Sequence, residues 1–394
     1  MVRTFRSLAA ATTIGMFLVL VMGAAVTNTG SAEGCGRSWP LCNGQFVPEF
    51  TVSSAIEYSH RAVTGIESVL VVALSGGMLV HFGPRDREVV VLTVLMLATL
   101  LLQAGLGAAA VLVPQTPLIL ASHFGVSLAA FAATYLSMVL VFGRLSGQRA
   151  IAVRGARGVE AMRTSSAAST SGGRGGQVSA AMPGGMRFWT IGVSVYVLGV
   201  VYLGAYVRHA GLSLACADWP LCNGQLVPVL DGPSGVVFAH RLAALGVLGL
   251  LALMYRLSYG WGIGQRAAGA ALGLCGLQIL SGALVVWTQL GLFSTLAHAG
   301  IMALLFAALA HLVRAGLKAA DGNKVGARLS RLSDDAGAHL AAAPGREKFA
   351  TLTSSAKTSA PLSLPTAVSQ PPTEQVCVEW RGGRSGVSEH PGVG

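Results

Sequence analysis

Eight long apolar runs dominate this sequence, and each is long enough to cross a lipid bilayer as a helix of about 20 residues. The runs occupy residues 9–26, 62–82, 89–113, 118–142, 188–207, 236–255, 267–289 and 292–313. Only 11% of the residues are charged, whereas soluble domains average about 25%. The sequence therefore predicts an all-α integral membrane protein with eight transmembrane helices.

The distribution of arginine predicts how the chain lies in the membrane. The net charge is +11, but the basic residues lie between apolar runs and not on one soluble face, so no nucleic-acid partner is expected. If the N-terminus is cytoplasmic, the inner segments hold most of the arginines, and the outer segments hold only Arg37, Arg61, Arg208 and Arg241. This positive-inside pattern predicts a multi-pass protein of the lipid bilayer with both termini in the cytoplasm.

The sequence contains an internal repeat. The heptapeptide WPLCNGQ occurs at residues 39–45 and again at residues 219–225. The same register relates His60 to His240, and each of these histidines is followed by an arginine. Each copy holds four predicted helices, so both copies enter the membrane in the same direction. The chain is therefore expected to form two parallel four-helix-bundle repeats.

The repeat also predicts the domain boundaries. Residues 1–143 form the N-terminal four-helix repeat and residues 188–314 the C-terminal one. Between them, residues 144–187 are rich in glycine, serine and arginine, which is typical of a cytoplasmic linker. Residues 315–394 are polar and rich in proline and serine, and a disordered cytoplasmic tail is expected there.

Two cysteine pairs lie in the outer loops, Cys35 with Cys42 and Cys216 with Cys222. The outer face is oxidising and the spacings allow each loop to close, so two disulfides are predicted. Zinc is disfavoured because neither loop contains a histidine or a further cysteine. Two roles stay open, a bond that only pins the loop over the membrane and a bond that exchanges with a partner thiol.

Four histidines occupy equivalent positions in the two repeats, because His60 matches His240 and His123 matches His298. All four lie near the start of an even-numbered predicted helix, and those helices begin at the outer face. Polar side chains within spans are costly and usually face the bundle interior. Two imidazoles from facing helices form a bis-histidine heme site. The sequence therefore predicts four axial ligands to heme iron, one pair in each half.

The two halves differ in their carboxylates. Glu57 lies three residues before His60 and shares its helix face, whereas the matching position in the second half is Val237. A carboxylate beside a reacting group can accept protons or stabilise positive charge, so Glu57 is the candidate catalytic residue. Glu67 lies on the same stripe about 10 Å deeper, and its counterpart is Val247. No role follows for Glu67 from the pattern.

Polar residues beside the histidines have further expected partners. Arg61 and Arg241 follow the helix-opening histidines, and two roles stay open for them. They pair with heme propionates, or they extend to water and lipid phosphate. Gln103 and Gln278 are expected to form hydrogen bonds across helices, because buried amides seek partners.

Several of these motifs resemble the bacterial heme A synthase family. They are CGRSWPLCNGQ from Cys35, EYSHR from Glu57, ASHFG around His123, FAHR around His240 and LAHAG around His298. The resemblance covers about residues 1–314 without the linker. It implies a bacterial plasma-membrane enzyme that oxidises a methyl group of heme O to a formyl group. The product is heme A for cytochrome oxidase assembly.

The resemblance also implies how the work is divided. The first half, with Glu57, His60 and His123, holds the substrate heme O. The second half, with His240 and His298, holds a heme b cofactor through which electrons leave. The implied partners are the heme O synthase and an electron acceptor, and a homo-oligomer stays open.

Two other functions use parts of the same residue set. A di-heme electron carrier of the b type needs the four histidines but not Glu57. A membrane thiol-disulfide oxidoreductase needs the loop cysteines but not four histidines. The kind of heme that the purified protein binds distinguishes these alternatives from a synthase.

Overall fold

The structure, a computed structural model, describes residues 2–49, 51–113, 116–164, 184–259 and 265–341. Within these ranges eight helices are long and apolar enough to cross a membrane, which confirms the predicted all-α membrane protein. A short 3-10 turn, Ser31–Glu33, follows the first helix. The helices are α1 Val2–Asn28, α2 Val52–Phe82, α3 Arg87–Leu112, α4 Pro117–Thr164, α5 Gly184–His209, α6 Pro233–Tyr259, α7 Gln265–Trp287 and α8 Leu292–Ala341.

The helices α2 and α6 begin before the apolar runs that predicted them. Thr51 caps α2 through a reciprocal pair of hydrogen bonds, in which its hydroxyl accepts from the Ser54 N–H at 3.2 Å and the Ser54 hydroxyl accepts from the Thr51 N–H at 2.8 Å. Pro233 begins α6, where its fixed φ favours a first helical turn. The histidines His60 and His240 therefore lie about two turns inside their helices.

The helices α4 and α8 continue past the predicted ends of the two repeats. Their membrane-spanning parts end at Gly147 and Lys318, but the helices themselves reach Thr164 and Ala341. The predicted linker therefore begins as helix, and so does the predicted tail. The remaining residues of both segments, 165–183 and 342–394, lie outside the described residues.

One continuous core joins all eight helices. Buried side chains from each of them form a single cluster, which includes Leu20, Leu74, Met96, Leu128, Val197, Leu251, Cys275 and Leu305. Dispersion contacts of this kind hold membrane helices together, because lipid tails are as apolar as the side chains. The arrangement as two repeated bundles stays a prediction.

Ion pairs connect three helices, α3, α4 and α8, near one end of α3. Glu88 at the start of α3 pairs with Arg314 and Lys318 of α8, with N–O distances of 2.7 and 3.1 Å. Asp86, just before α3, pairs with Arg144 of α4. The hydrogen bond from Arg144 is the largest cause that holds the pKa of the Asp86 carboxyl below its ordinary value. These contacts position α4 and α8, which carry two of the predicted ligands.

Candidate functional site

All four predicted histidine ligands line one cavity of about 810 Å³. Every one of the eight helices contributes to its wall, and the wall is mostly apolar, with Met16, Leu20, Val201 and Ile279 among its residues. Binding sites for large organic cofactors are apolar cavities of this size with a few polar groups. The cavity therefore suits a flat, mostly apolar group held by imidazoles.

Each histidine ring lies against a glycine of the preceding helix, where the missing side chain leaves space for the ring. The distances from a Cβ built on the glycine to the ring Cε1 are 3.3 Å for Gly23 and His60, 3.5 Å for Gly107 and His123, 2.6 Å for Gly204 and His240, and 3.3 Å for Gly282 and His298. Distances under about 3.4 Å are tighter than ordinary contact. Each of the four odd-numbered helices thus has a glycine that leaves space for the ring of one predicted histidine ligand.

One of the four histidines, His298, differs from the others in the partners of its ring nitrogens. Among the described residues, the buried Nδ1 atoms of His60, His123 and His240 have no hydrogen-bond partner. By contrast, Nδ1 of His298 lies 2.8 Å from the Ser281 hydroxyl oxygen. That hydroxyl donates its own hydrogen to the Gln278 carbonyl, so it accepts from Nδ1–H. The lone pair of the His298 ring is then on Nε2, and an imidazole binds iron through the nitrogen that carries the lone pair.

Two glutamines contact the ligand helices, as the sequence predicts. The Gln103 amide on α3 donates to the His123 carbonyl and to the Ser127 hydroxyl on α4, both at 2.7 Å. The Gln278 amide nitrogen on α7 lies 3.1 Å from Nε2 of His298. Nε2 of His298 would therefore be able to hold heme iron only once the Gln278 amide had moved aside. With that movement, four imidazoles in the cavity wall would be available to hold heme iron.

Glu57 lies in the cavity wall and is 4% exposed. Its Oε2 accepts a hydrogen bond of 2.8 Å from the Cys35 N–H, and its Oε1 accepts one of 2.5 Å from Arg61. In the second half, Val237 is equally buried and packs on Cys216 and Cys222. The carboxylate therefore links the first disulfide loop to α2, and it is held in one orientation by two donors.

The arginines Arg61 and Arg241 contact loop carbonyls, which the sequence did not predict. Arg61 donates to the carbonyls of Ser38 and Leu41 at 2.8 Å. Arg241 donates to the carbonyls of Leu221 and Cys216. Both guanidinium groups thus fasten a disulfide loop to the start of a ligand helix. The roles towards heme propionates or lipid phosphate stay predictions, since these bonds do not use every N–H of the guanidinium groups.

The two disulfide loops have the same local structure. The bonds Cys35–Cys42 and Cys216–Cys222 are both formed, with Cα–Cα distances of 4.4 and 4.6 Å, which confirms the predicted pairs. Each loop also has a bridge between its second cysteine and the glutamine three residues later. The loop residues Trp39, Pro40, Trp219 and Pro220 line the cavity. Both loops therefore form part of the site.

Some site residues are not predicted from the sequence. Arg208 at the end of α5 lines the cavity and donates to the Asn28 side chain of α1 at 2.7 Å, and His209 lines the cavity beside it. Ser281 stands one turn from Gln278, and that spacing is a signal from which it could have been predicted. Leu106 holds the matching position in the first half. A comparison of the two repeats for shared polar residues therefore does not identify Ser281.

Comparisons with known proteins give relatives that cover most of the chain. The model of the COX15-CtaA family, described as cytochrome oxidase assembly protein, matches residues 6–179 and 187–233. The heme A synthase of Geobacillus kaustophilus is 41% identical over 341 residues, which cover 82% of this chain and 96% of the relative. The heme A synthase of Symbiobacterium thermophilum is 39% identical over 76% of this chain and 91% of the relative. That of Bacillus licheniformis is 39% identical over 78% of this chain and 95% of the relative.

Proposed function

Since the chain belongs to the family of cytochrome oxidase assembly proteins that contains the bacterial heme A synthases, it is an oxidoreductase that makes heme A, and we propose a division of labour between its two halves. The first half, with His60 and His123, holds heme O while one methyl group is oxidised to a formyl group. The second half, with His240 and His298, holds a heme b that stays bound and supplies the redox chemistry for electron removal.

The hydrogen bond from His298 to Ser281 carries this proposal. An outer partner that orients an imidazole typically raises metal affinity about 10- to 100-fold. His123 lacks such a partner, and Leu106 occupies the position that matches Ser281. The second half therefore suits a resident cofactor, and the first half suits a heme that must leave as product.

Glu57 is proposed as the proton acceptor of the first half. Oxidation of a methyl group to a formyl group replaces C–H bonds with a C=O bond whose oxygen atom comes from water, so protons and electrons are both released. The electrons pass to the membrane acceptor, and the protons need a base near the reacting carbon. The Glu57 carboxylate lines the cavity, and the Cys35 N–H and Arg61 orient it. The second half has Val237 at this position, which agrees with its role as an electron-transfer site without proton chemistry.

The proposed setting is the bacterial plasma membrane, with both termini in the cytoplasm. The arginine distribution supports this orientation. Heme O is then supplied by the heme O synthase in the same membrane, and electrons leave to a membrane acceptor. A di-heme carrier of the b type would use the same histidines, but it would leave the buried Glu57 without a function in the cavity.

Expression in cells that make heme O but not heme A tests the activity, and chromatography of the extracted hemes measures it. The wild-type chain is expected to produce heme A. His240→Ala and His298→Ala should lose the tightly bound heme b. His60→Ala and His123→Ala should keep most of it and make no heme A. Equal loss of heme b from all four variants would contradict the division, and heme b without heme A in wild type would favour the carrier.

A further inference from the structure

Glu67 is a buried carboxyl that the proposed reaction does not use. It is 2% exposed, it lines the cavity, and it lies on the His60 face of α2 about 10 Å deeper along the helix. Its side chain fills a notch at Gly15 of α1, where a built Cβ would lie 2.0 Å from Oε2. The carboxyl is therefore part of the cavity wall and has no space to move towards α1.

Neither oxygen of Glu67 has a hydrogen-bond partner among the described residues. The neighbouring hydroxyls on α2 are already engaged, because Thr64 donates to the His60 carbonyl and Ser68 donates to the Thr64 carbonyl. A buried polar group without a partner carries its full desolvation cost. A ligand with a hydrogen-bonding group at this depth of the cavity would therefore bind more tightly than the same ligand without that group.

We infer that Glu67 recognises the side-chain hydroxyl of heme O, an inference that rests on the proposed function of the first half. Heme O carries a long alkyl chain with one hydroxyl, next to the ring, where heme B has a vinyl group. This hydroxyl is the only polar group on an otherwise apolar edge. A hydroxyl donates to a carboxylate and accepts from a carboxylic acid, so Glu67 binds it in either protonation state.

If Glu67 recognises the hydroxyl of heme O, the matching position in the second half should be apolar. Val247 holds the matching position and lies buried in the core. Heme b has no hydroxyl at its vinyl positions, so an apolar wall suits it. A site that hydrogen-bonds a hydroxyl also rejects the analogue without it, because its own polar group is then left unpaired. Glu67 and Val247 thus direct the two hemes to different halves.

Two iron porphyrins isolate the hydroxyl from the rest of the side chain. Iron mesoporphyrin carries ethyl groups where iron hematoporphyrin carries 1-hydroxyethyl groups, and neither has the long alkyl chain. Each is titrated by Soret absorbance into protein that retains heme b in its second half. Wild type is expected to bind the hydroxylated porphyrin about tenfold more tightly. Glu67→Val should reduce this ratio to about one, whereas Glu67→Gln should keep most of it, since the amide still forms hydrogen bonds.

Ser68→Ala is the matched control, because Ser68 also lines the cavity and its hydroxyl already binds the Thr64 carbonyl. This variant should keep the wild-type ratio, and retained heme b shows that every variant is folded. An unchanged ratio in Glu67→Val, or a Glu67→Gln variant as unselective as Glu67→Val, would overturn the inference and leave the proposed function intact. Wild type that takes up no second porphyrin would instead contradict the proposed function.

Discussion

Glu57 joins the cavity wall to the first disulfide loop. Its two oxygens accept from Cys35 and Arg61. The second loop is attached at the same point by Val237, which packs on its disulfide. Attachment of the loop therefore does not require a carboxylate. A carboxylate at this position agrees with the proton chemistry proposed for the first half.

Glu57→Gln is expected to lower heme A formation about a hundredfold, because loss of one positioned acid–base group typically has an effect of this size. The amide keeps the size of the side chain and can still accept from the Cys35 N–H. Heme b content, measured as the pyridine hemochrome, should be unchanged. Arg61→Gln removes the ion pair but keeps the carboxylate, so it should be less impaired. Wild-type turnover in Glu57→Gln would exclude proton transfer through this residue.

Ser281→Ala is expected to weaken heme b binding in the second half by about 10- to 100-fold, since His298 loses the acceptor that fixes its tautomer. The measurement is the rate of heme b transfer to apomyoglobin from the detergent-solubilised protein. Ser127→Ala is the control, because the Ser127 hydroxyl binds the His123 carbonyl and not the ring. Equal rates in Ser281→Ala and wild type would show that Ser281 does not hold the ligand.

At the scale of helices, the ligands and the space for them come from different elements. The even-numbered helices carry the histidines, and the odd-numbered helices carry a glycine opposite each ring. Close approach of helix backbones at small residues is common in membrane bundles. Here the approach is between a backbone and a ring, so the position of each ligand depends on the neighbouring helix.

Gly204→Ala is expected to displace the His240 ring, because the new Cβ would lie 2.6 Å from Cε1. The variant should lose most of its heme b, measured from the Soret absorbance per protein. Gly199→Ala on the same helix is the matched control, since a Cβ there meets no atom within 4 Å. If the two variants retain equal heme b, the contact between Gly204 and His240 does not position the ligand.

The sequence predicts helices well here because a bilayer leaves a chain few choices. Every backbone N–H and C=O group must form a hydrogen bond within the span, so eight apolar runs become eight helices. The positions of the histidines along those helices can then be predicted as well. The first turns of α2 depend on the bonds between Thr51 and Ser54, which have no apolar signal. The contacts of Arg61 and Arg241 depend on loop carbonyls. The positions of these carbonyls are set by the folded loop, so the residue types alone do not predict the contacts.

For the whole molecule, both loops that border the cavity are closed by a disulfide. A membrane-permeant maleimide should therefore modify none of Cys35, Cys42, Cys216 and Cys222 in the native protein, and all four after reduction. The buried free thiol of Cys275 should react only after denaturation. Mass spectrometry of the labelled peptides measures the result. Modification of Cys35 and Cys42 in a fully active preparation would exclude a required disulfide in the first loop.

The two disulfide loops border the cavity, where Trp39, Pro40, Trp219 and Pro220 belong to its lining. The other walls are apolar helices long enough to cross a membrane. We expect heme O, which dissolves in the bilayer, to arrive by sideways diffusion in two dimensions. Its effective concentration is its mole fraction among the lipids, and dilution of the membrane with extra lipid slows the enzyme even when the amount of heme O per volume is constant.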